Sequence, residues 1–286
     1  MSSVNIKWSR WFPLVPALAL LTAILLVPLG KTLIDSVSTP SWTLQNYSNL
    51  FTDGVTMTVL GRTALTAATV TITALLLGYP YAYLMTRVGP RARGILLVIV
   101  LIPFWTSVMA RNFAWIIILQ DGGPVQSLFE LLGAGHVVLY GTTAGVAIAM
   151  TQVMLPFMVL PLFSTLGSID RRLLLAARGL GSSPTVAFWR IFWPLSRGGV
   201  MAGVVLVFTL SLGFYVTPAL LGSPQESLVA QLLAQRTILL LDFPAAGALG
   251  LVVLIVTLVL VAWANRVGGT VSAIGAVSTS RPKDRP

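Results

Sequence analysis

The chain has 286 residues, of which 56% are hydrophobic and only 9% are charged, and its mean hydropathy is +0.89. Soluble domains carry roughly 25% charged residues, so this composition excludes a soluble globular protein and indicates a single membrane domain over residues 1–286. The chain has no Cys, which excludes disulfides, thiolate metal sites and Cys nucleophiles. The net charge of +10 comes from basic residues in loops without a nucleic-acid motif, so no nucleic acid is expected as a partner.

Six apolar segments are each long enough to cross a bilayer. We therefore predict an all-α polytopic protein with six transmembrane helices, at about 11–30, 63–84, 95–119, 141–166, 200–221 and 245–264. The first segment has the basic start and apolar centre of a signal peptide. No small-x-small cleavage site follows Gly30, so we interpret it as an uncleaved span.

The basic residues between these segments predict the orientation. The N-terminus, the loop 86–94, the segment 168–199 and the C-terminal tail hold fourteen of the eighteen Lys and Arg. Six of the eight acidic residues lie in the other connections. The positive-inside rule then predicts that both termini and the segment 168–199 are cytoplasmic.

The segment 168–199 between the fourth and fifth spans predicts two short helices. In the first, Ser168 is a candidate N-cap with Asp170 in the opening turn, and the helix runs to about Arg178 before Gly179 and Gly181.

In the second helix, Ser183 is the predicted N-cap and Pro184 takes the first position. We expect Pro194 to end it and Gly198-Gly199 to turn the chain back into the membrane. Physical patterning alone also allows a different interpretation, in which the segment is an amphipathic hairpin that anchors two spans at the interface.

The sequence of this segment resembles the signature loop of permease subunits in binding-protein-dependent ABC importers. The resemblance is carried by Ala176-Ala177-Arg178, Leu180-Gly181-Ser182, Phe188, Ile191, Pro194-Leu195 and Gly199. In that family the loop is a coupling helix that docks on a cytoplasmic ATPase. It implies the type I importer permease fold and a coupling site at Leu174, Leu175, Ala176, Ala177, Arg178, Gly181 and Ser182. The family usually has Glu where this chain has Leu175, so a salt bridge made by that Glu is absent here.

Four further segments are similar to the spermidine/putrescine branch of these permeases, and to the first of its two permease subunits. They are 77–83, 102–107, 155–161 and 213–216. The resemblance implies a polyamine as solute, an inner-membrane location, a second homologous permease, two ATPase copies and an extracytoplasmic binding protein. ATP and Mg²⁺ would be bound by the ATPase, which leaves this chain with no cofactor and no catalysis of its own.

The solute pathway is less clear from the sequence. Arg111 lies within a predicted span, where a charge is costly and usually faces a cavity or a partner. Aromatic faces suit a cation, so the candidate pathway residues are Phe104, Trp105, Arg111, Phe214 and Tyr215. The competing interpretations are ordinary packing for the aromatics and, for Arg111, snorkelling towards the outer interface or bonding to backbone carbonyls of a neighbouring span.

Other functions remain as alternatives. The same importer class could carry an amino acid or a derivative such as GABA or an opine, or iron. An ion-coupled secondary transporter would usually show intramembrane Asp, Glu or His, which the predicted spans lack. If the solute is a polycation, Glu226 and Asp242 are the local candidates to meet its charge.

His136 is the only His of the sequence. We expect it to be a surface residue, because no further metal-ligating residues are grouped with it.

Overall fold

The computed structural model describes residues 14–38 and 42–276, and the described chain is helical. The basic residues predicted to be cytoplasmic at the two ends, such as Lys7 and Lys283, lie outside the described residues. The helices are α1 Leu14–Ser38, α2 Gln45–Thr52, α3 Gly54–Arg87, α4 Pro90–Trp105, α5 Val108–Leu119, α6 Pro124–Leu131, α7 Thr143–Ser168, α8 Arg171–Gly179, α9 Pro184–Leu212, α10 Val216–Leu221, α11 Val229–Ala234 and α12 Phe243–Ala276.

Five of these helices, α1, α3, α7, α9 and α12, are long and apolar enough to cross a membrane by themselves. A sixth crossing results if the consecutive helices α4 and α5 count as one span. The described residues thus agree with the predicted all-α, six-span architecture.

The sequence predicted the third span as a single helix, but the structure divides it into two helices. α4 is followed by a bend of 98° before the helical stretch that begins at Val108. Thr106 has an extended backbone, and the hydroxyl of Ser107 accepts a hydrogen bond from the Ala110 N–H at 3.5 Å, which caps α5. Pro103 lies in the last turn of α4. Because Ser is a preferred N-cap, Ser107 favours the start of a new helix at Val108.

The fifth predicted span is also wrong in its bounds. α9 begins at Pro184, continues through Pro194 and the glycines that follow, and ends at Leu212, so Pro194 ends no helix. A π-helical turn, Phe188–Phe192, comes just before Pro194 and adapts the helix to the missing N–H. The chain breaks instead at Gly213, and α10 follows as a short separate helix.

Gly199 therefore has a packing role in place of the predicted turn. A Cβ at Gly199 would lie 2.7 Å from Thr165 Cβ and 3.1 Å from the Pro161 carbonyl oxygen on α7. A Cβ at its neighbour Gly198 would meet nothing within 4 Å. The absence of a side chain at Gly199 lets α9 approach α7 closely, as small residues do between membrane helices.

The chain divides into two compact units. Of the described residues, one unit comprises 14–38, 42–57 and Leu233–Leu254, and the other Thr58–Leu232 and 255–276. In the second unit α7 is the central helix, and its buried side chains include Met150, Met154, Met158, Val159 and Leu162. α4, α9 and α10 pack against it.

Candidate coupling surface and solute pathway

The predicted coupling segment folds into α8 and the first turns of α9. Asp170 is the N-cap of α8 and accepts a hydrogen bond from the Arg172 N–H at 2.9 Å. Ser168, the predicted cap, is instead the last residue of α7. Asp170 is a favourable N-cap because its carboxylate carries the negative charge that a helix N-terminus favours.

The end of α8 is fixed by Gly181. The N–H of Ser182 bonds to the Ala177 carbonyl and that of Gly181 to the Arg178 carbonyl, both at 3.0 Å, which is the hydrogen-bond pattern of a Schellman motif. Gly181 has φ +85°, a conformation that favours glycine. The motif glycine of the sequence is therefore the residue that turns the chain between α8 and α9.

Ser183 caps α9 as predicted. Its hydroxyl accepts a hydrogen bond from the Val186 N–H at 3.3 Å, with Pro184 at the first helical position. α8 and α9 are thus two helices joined by a defined turn of four residues.

Aromatic side chains hold this hairpin against the end of α3. The ring of Tyr83 lies 5.3 Å from Phe192 and 6.2 Å from Phe188, measured between centroids, and both contacts are edge-to-face. Tyr79 lies 5.6 Å from Trp193. Such pairs stabilise by about 0.5–1.5 kcal/mol each beyond burial. The first turns of α9 are therefore fastened to α3 by ring contacts.

A cleft of about 330 Å³ lies beside α8. It is lined by three of the predicted coupling residues, Leu174, Leu175 and Arg178, and by Tyr83 and Arg87 of α3. Sequence reasoning missed Tyr83 and Arg87 as members of this site. Their spacing of four residues on one helix was the available signal, and the guanidinium carbon of Arg87 lies 4.8 Å from the centre of the Tyr83 ring.

The exposed face of α8 and the turn after it carry apolar side chains that the described chain leaves uncovered, beside the exposed Arg172 and Arg178. Leu175 is 63% exposed and Leu180 is 89% exposed. The neighbouring Ala176, Gly181 and Ser182 are exposed too, or nearly so. An exposed set of this kind at the end of a membrane protein is a surface suited to a protein partner.

A second cavity, also about 330 Å³, lies at the break between α4 and α5. Three of the five predicted pathway residues, Phe104, Arg111 and Phe214, line it together. The ring of Phe104 lies 5.2 Å from that of Phe157. Trp105 and Tyr215 do not line this cavity; they are 74% and 45% exposed.

Arg111 is bonded within the broken span. Its Nη1 donates to the carbonyl of Pro103, across the bend, while its Nε is buried without a partner in the described chain. Arg111 is thus bonded to a backbone carbonyl of its own predicted span, and not of a neighbouring span as the competing interpretation had it. The cavity that it lines contains no acidic side chain among the described residues.

Glu226 and Asp242, the two candidates to bind a polycation, both accept hydrogen bonds at helix N-termini. The carboxylate of Glu226 accepts hydrogen bonds from the backbone N–H and the hydroxyl of Thr143, at the start of α7. Asp242 accepts from the Ala245 N–H at 3.1 Å, at the start of α12. Each carboxylate thus has a structural role that the sequence did not reveal.

The connection between α2 and α3 carries a third structural carboxylate. The hydroxyl of Thr56 lowers the pKa of Asp53 most strongly, and backbone donors and the charge of Arg236 lower it further, against a partial desolvation. Arg236 Nη2 lies 3.2 Å from Asp53 Oδ2. The sequence listed these residues only by charge and did not pair them.

His136 is exposed, as predicted, but it is not alone. Its two ring nitrogens lie 3.5 Å from carboxylate oxygens of Asp121 and Glu130. The expectation that no residue of a metal-binding type lies near His136 is therefore wrong. No group of three such residues with a geometry fit for a metal exists in the described part of the chain.

Solved structures share this fold. A chain in a crystal structure of a bacterial ABC transporter involved in the import of the acidic polysaccharide alginate matches with a TM-score of 0.72 at 17% identity, covering 92% of this chain and 96% of that one. A chain of the bacterial alginate ABC transporter in complex with alginate pentasaccharide-bound periplasmic protein matches with a TM-score of 0.73 at 17% identity, covering 91% and 93%. The fold is that of an ABC importer permease.

Relatives in sequence extend over most of the chain. The spermidine/putrescine transport system permease protein PotB of Haemophilus influenzae is 31% identical over 263 residues, which covers 91% of this chain and 90% of the relative. PotB of Escherichia coli K12 is 31% identical over 78% of this chain and 82% of the relative. The inner membrane ABC transporter permease protein YdcU of E. coli K12 is 28% identical over 80% of this chain and 77% of the relative.

The family model for the binding-protein-dependent transport system inner membrane component matches residues 74–271. The chain belongs to this family. It is accordingly a multi-pass permease subunit of the inner membrane, as the signature-loop resemblance had indicated.

Proposed function

We propose that the chain is a permease subunit of an ATP-driven importer that moves a polyamine, spermidine or putrescine, into the cell. The observation that carries the solute class is the 31% identity over 91% of the chain to a permease named for spermidine and putrescine. In this proposal residues 1–286 act as one permease domain without catalytic activity. ATP and Mg²⁺ are bound by a separate ATPase.

The partners follow from the family and from the exposed surface of α8. A periplasmic binding protein delivers the solute, and a second homologous permease completes the pathway. A dimer of ATPases docks on the coupling residues Leu174, Leu175, Ala176, Ala177, Arg178, Gly181 and Ser182. This places α8 and both termini in the cytoplasm, which is consistent with the distribution of Lys and Arg.

Transport then rests on rigid-body movement. Closure of the ATPase dimer displaces α8, and the aromatic contacts of Tyr83 with Phe188 and Phe192 pass the displacement to α3. The pathway alternates between inward-open and outward-open states. This chain contributes Phe104, Arg111 and Phe214 to the pathway, with Trp105 and Tyr215 nearby in sequence.

The aromatic faces of Phe104 and Phe214 suit a passing ammonium group. The acidic groups that a polycation requires come from the binding protein or from the second permease, because the described cavity has no carboxylate and Glu226 and Asp242 cap helices. The solute is thus held by this subunit through ring faces and by its partners through charge.

The test is uptake by the complete complex in liposomes with its binding protein. Spermidine and putrescine are compared with GABA, an opine, other amino acids and ferric iron, while ATP hydrolysis is measured in parallel. Polyamine uptake coupled to ATP hydrolysis is the expected result. Coupled uptake of another solute would overturn the polyamine assignment and keep the importer. Uptake driven by an ion gradient without ATP would overturn both.

A further inference from the structure

The cleft beside α8 has an unbalanced positive charge. The guanidinium groups of Arg87 and Arg178 are both exposed and both line it, on opposite elements, α3 and α8. The rest of its lining is mostly apolar and aromatic and includes Leu174, Phe188 and Phe192. A cavity with a mostly apolar lining that includes cations fits a side chain that ends in a carboxylate.

The described chain provides no carboxylate to this cleft. In the segments 84–94 and 168–199, Asp170 is the one acidic residue. Its carboxylate caps the other end of α8, at 2.9 Å from the Arg172 N–H. Arg87 makes a hydrogen bond to the Tyr83 hydroxyl and a cation–π contact with its ring, both of which leave its charge without a counter-ion.

Leu175 adds no charge to the cleft. It lines the cleft beside Arg87 and Arg178 and contributes an exposed apolar side chain. The two arginines are therefore available to an acid from outside the chain.

We propose that the cleft between Arg87 and Arg178 receives a carboxylate side chain of the ATPase, with Leu175 and Leu180 packed against apolar residues around it. The proposal rests on the proposed function, since it names the chemistry of the coupling contact. In this contact the permease contributes the cations and the ATPase the anion. Complementary charge of this kind sets partner choice.

The test uses a carbodiimide, which joins a lysine amine to a carboxylate in direct contact. The chain has three native lysines, at positions 7, 31 and 283, so the background is low. Arg87→Lys and Arg178→Lys place an amine on either side of the cleft. Arg91→Lys places an amine in the first turn of α4, outside the cleft. Each variant is assembled with the ATPase and second permease before cross-linking.

We expect Arg87→Lys and Arg178→Lys to cross-link to the same acidic peptide of the ATPase, and Arg91→Lys to give no more than the parent chain. Different peptides, equal yield from Arg91→Lys, or no cross-link in an assembled complex would each overturn the proposal. Failure of any ATPase to assemble with the parent chain would instead overturn the proposed function.

Two further variants separate this proposal from its competitors. Arg178→Glu should lower solute-stimulated ATP hydrolysis at least about tenfold, as charge reversal at an ion pair does. Leu175→Glu should also lower it, because the new carboxylate occupies the cleft itself; an increase would contradict the proposal. If Arg178→Glu changes only the dependence of hydrolysis on phosphatidylglycerol content, the cleft holds a lipid headgroup and the proposal is wrong.

Discussion

Arg111 ties together the two halves of the third span. Its guanidinium donates a hydrogen bond to the carbonyl of Pro103, which lies eight residues earlier on the far side of the 98° bend. The next residue, Asn112, is buried and donates to the Val108 carbonyl at 2.8 Å within α5. The Arg111 side chain therefore bridges the bend, and Asn112 is bonded within α5.

We predict that Arg111→Gln loosens this bend and lowers solute uptake, while assembly with the ATPase survives. A hydrogen bond from a charged donor in a half-buried place contributes about 1.5–3 kcal/mol. Uptake by proteoliposomes and the midpoint of thermal unfolding in detergent measure the two effects. Arg91→Gln, which removes an exposed charge, should change neither. Normal uptake and stability in Arg111→Gln would show that the bend holds without the arginine.

We predict that Gly199→Ala destabilises the pairing of α7 and α9, whereas Gly198→Ala has little effect. The new Cβ at Gly199 would sit 2.7 Å from Thr165 Cβ, a β-branched carbon that cannot swing away, and the cost of such overpacking is about 1–3 kcal/mol. Gly198 has open space, so it controls for helix propensity. Thermal unfolding of the two variants, measured side by side, checks the difference. Equal midpoints would mean that the helices can separate without cost.

The sequence predicted the helical class and the number of crossings because each crossing needs about 20 apolar residues, a signal that local composition carries. It predicted the Ser183 cap and the stop at Gly181 because caps and αL turns depend on single residue types. It missed the breaks at Thr106 and Gly213, since an apolar run looks the same whether its helix is continuous or bent. The passage of α9 through Pro194 depended on a π-helical turn that no residue pattern marked.

The sequence also predicted some of the site residues correctly and others not. Phe104, Arg111 and Phe214 come together at one cavity because two helix breaks, far apart in sequence, meet in space. Residue type alone suggested them, but it also suggested Trp105 and Tyr215, which that cavity does not include. The cap made by Glu226 joins residues 83 positions apart, and such a contact follows from tertiary packing and not from local pattern.

We predict that Glu226→Gln lowers stability and leaves the affinity for polyamine unchanged. The carboxylate lies at the N-terminus of α7, where a negative charge contributes about 0.3–1 kcal/mol beyond the hydrogen bonds that the amide retains. Thermal unfolding and the concentration of spermidine that half-saturates uptake check the two parts. Asp121→Asn serves as the exposed control. A weaker half-saturation with unchanged stability would make Glu226 a solute ligand after all.

We predict that substitutions at Gly181 uncouple ATP hydrolysis from the solute in the order Asn, Ala, Val, with Val the most severe. At φ +85° an L-residue costs about 1–2 kcal/mol, Asn is the most tolerant side chain, and β-branching at Val makes the conformation worst. The strained turn would release the Ser182 bond to Ala177 and change the direction of α8. Gly179→Ala is the matched control, because Gly179 is helical and has open space for a Cβ. Solute-stimulated ATP hydrolysis by assembled complexes gives the order, and full stimulation in Gly181→Val would show that coupling does not need this turn.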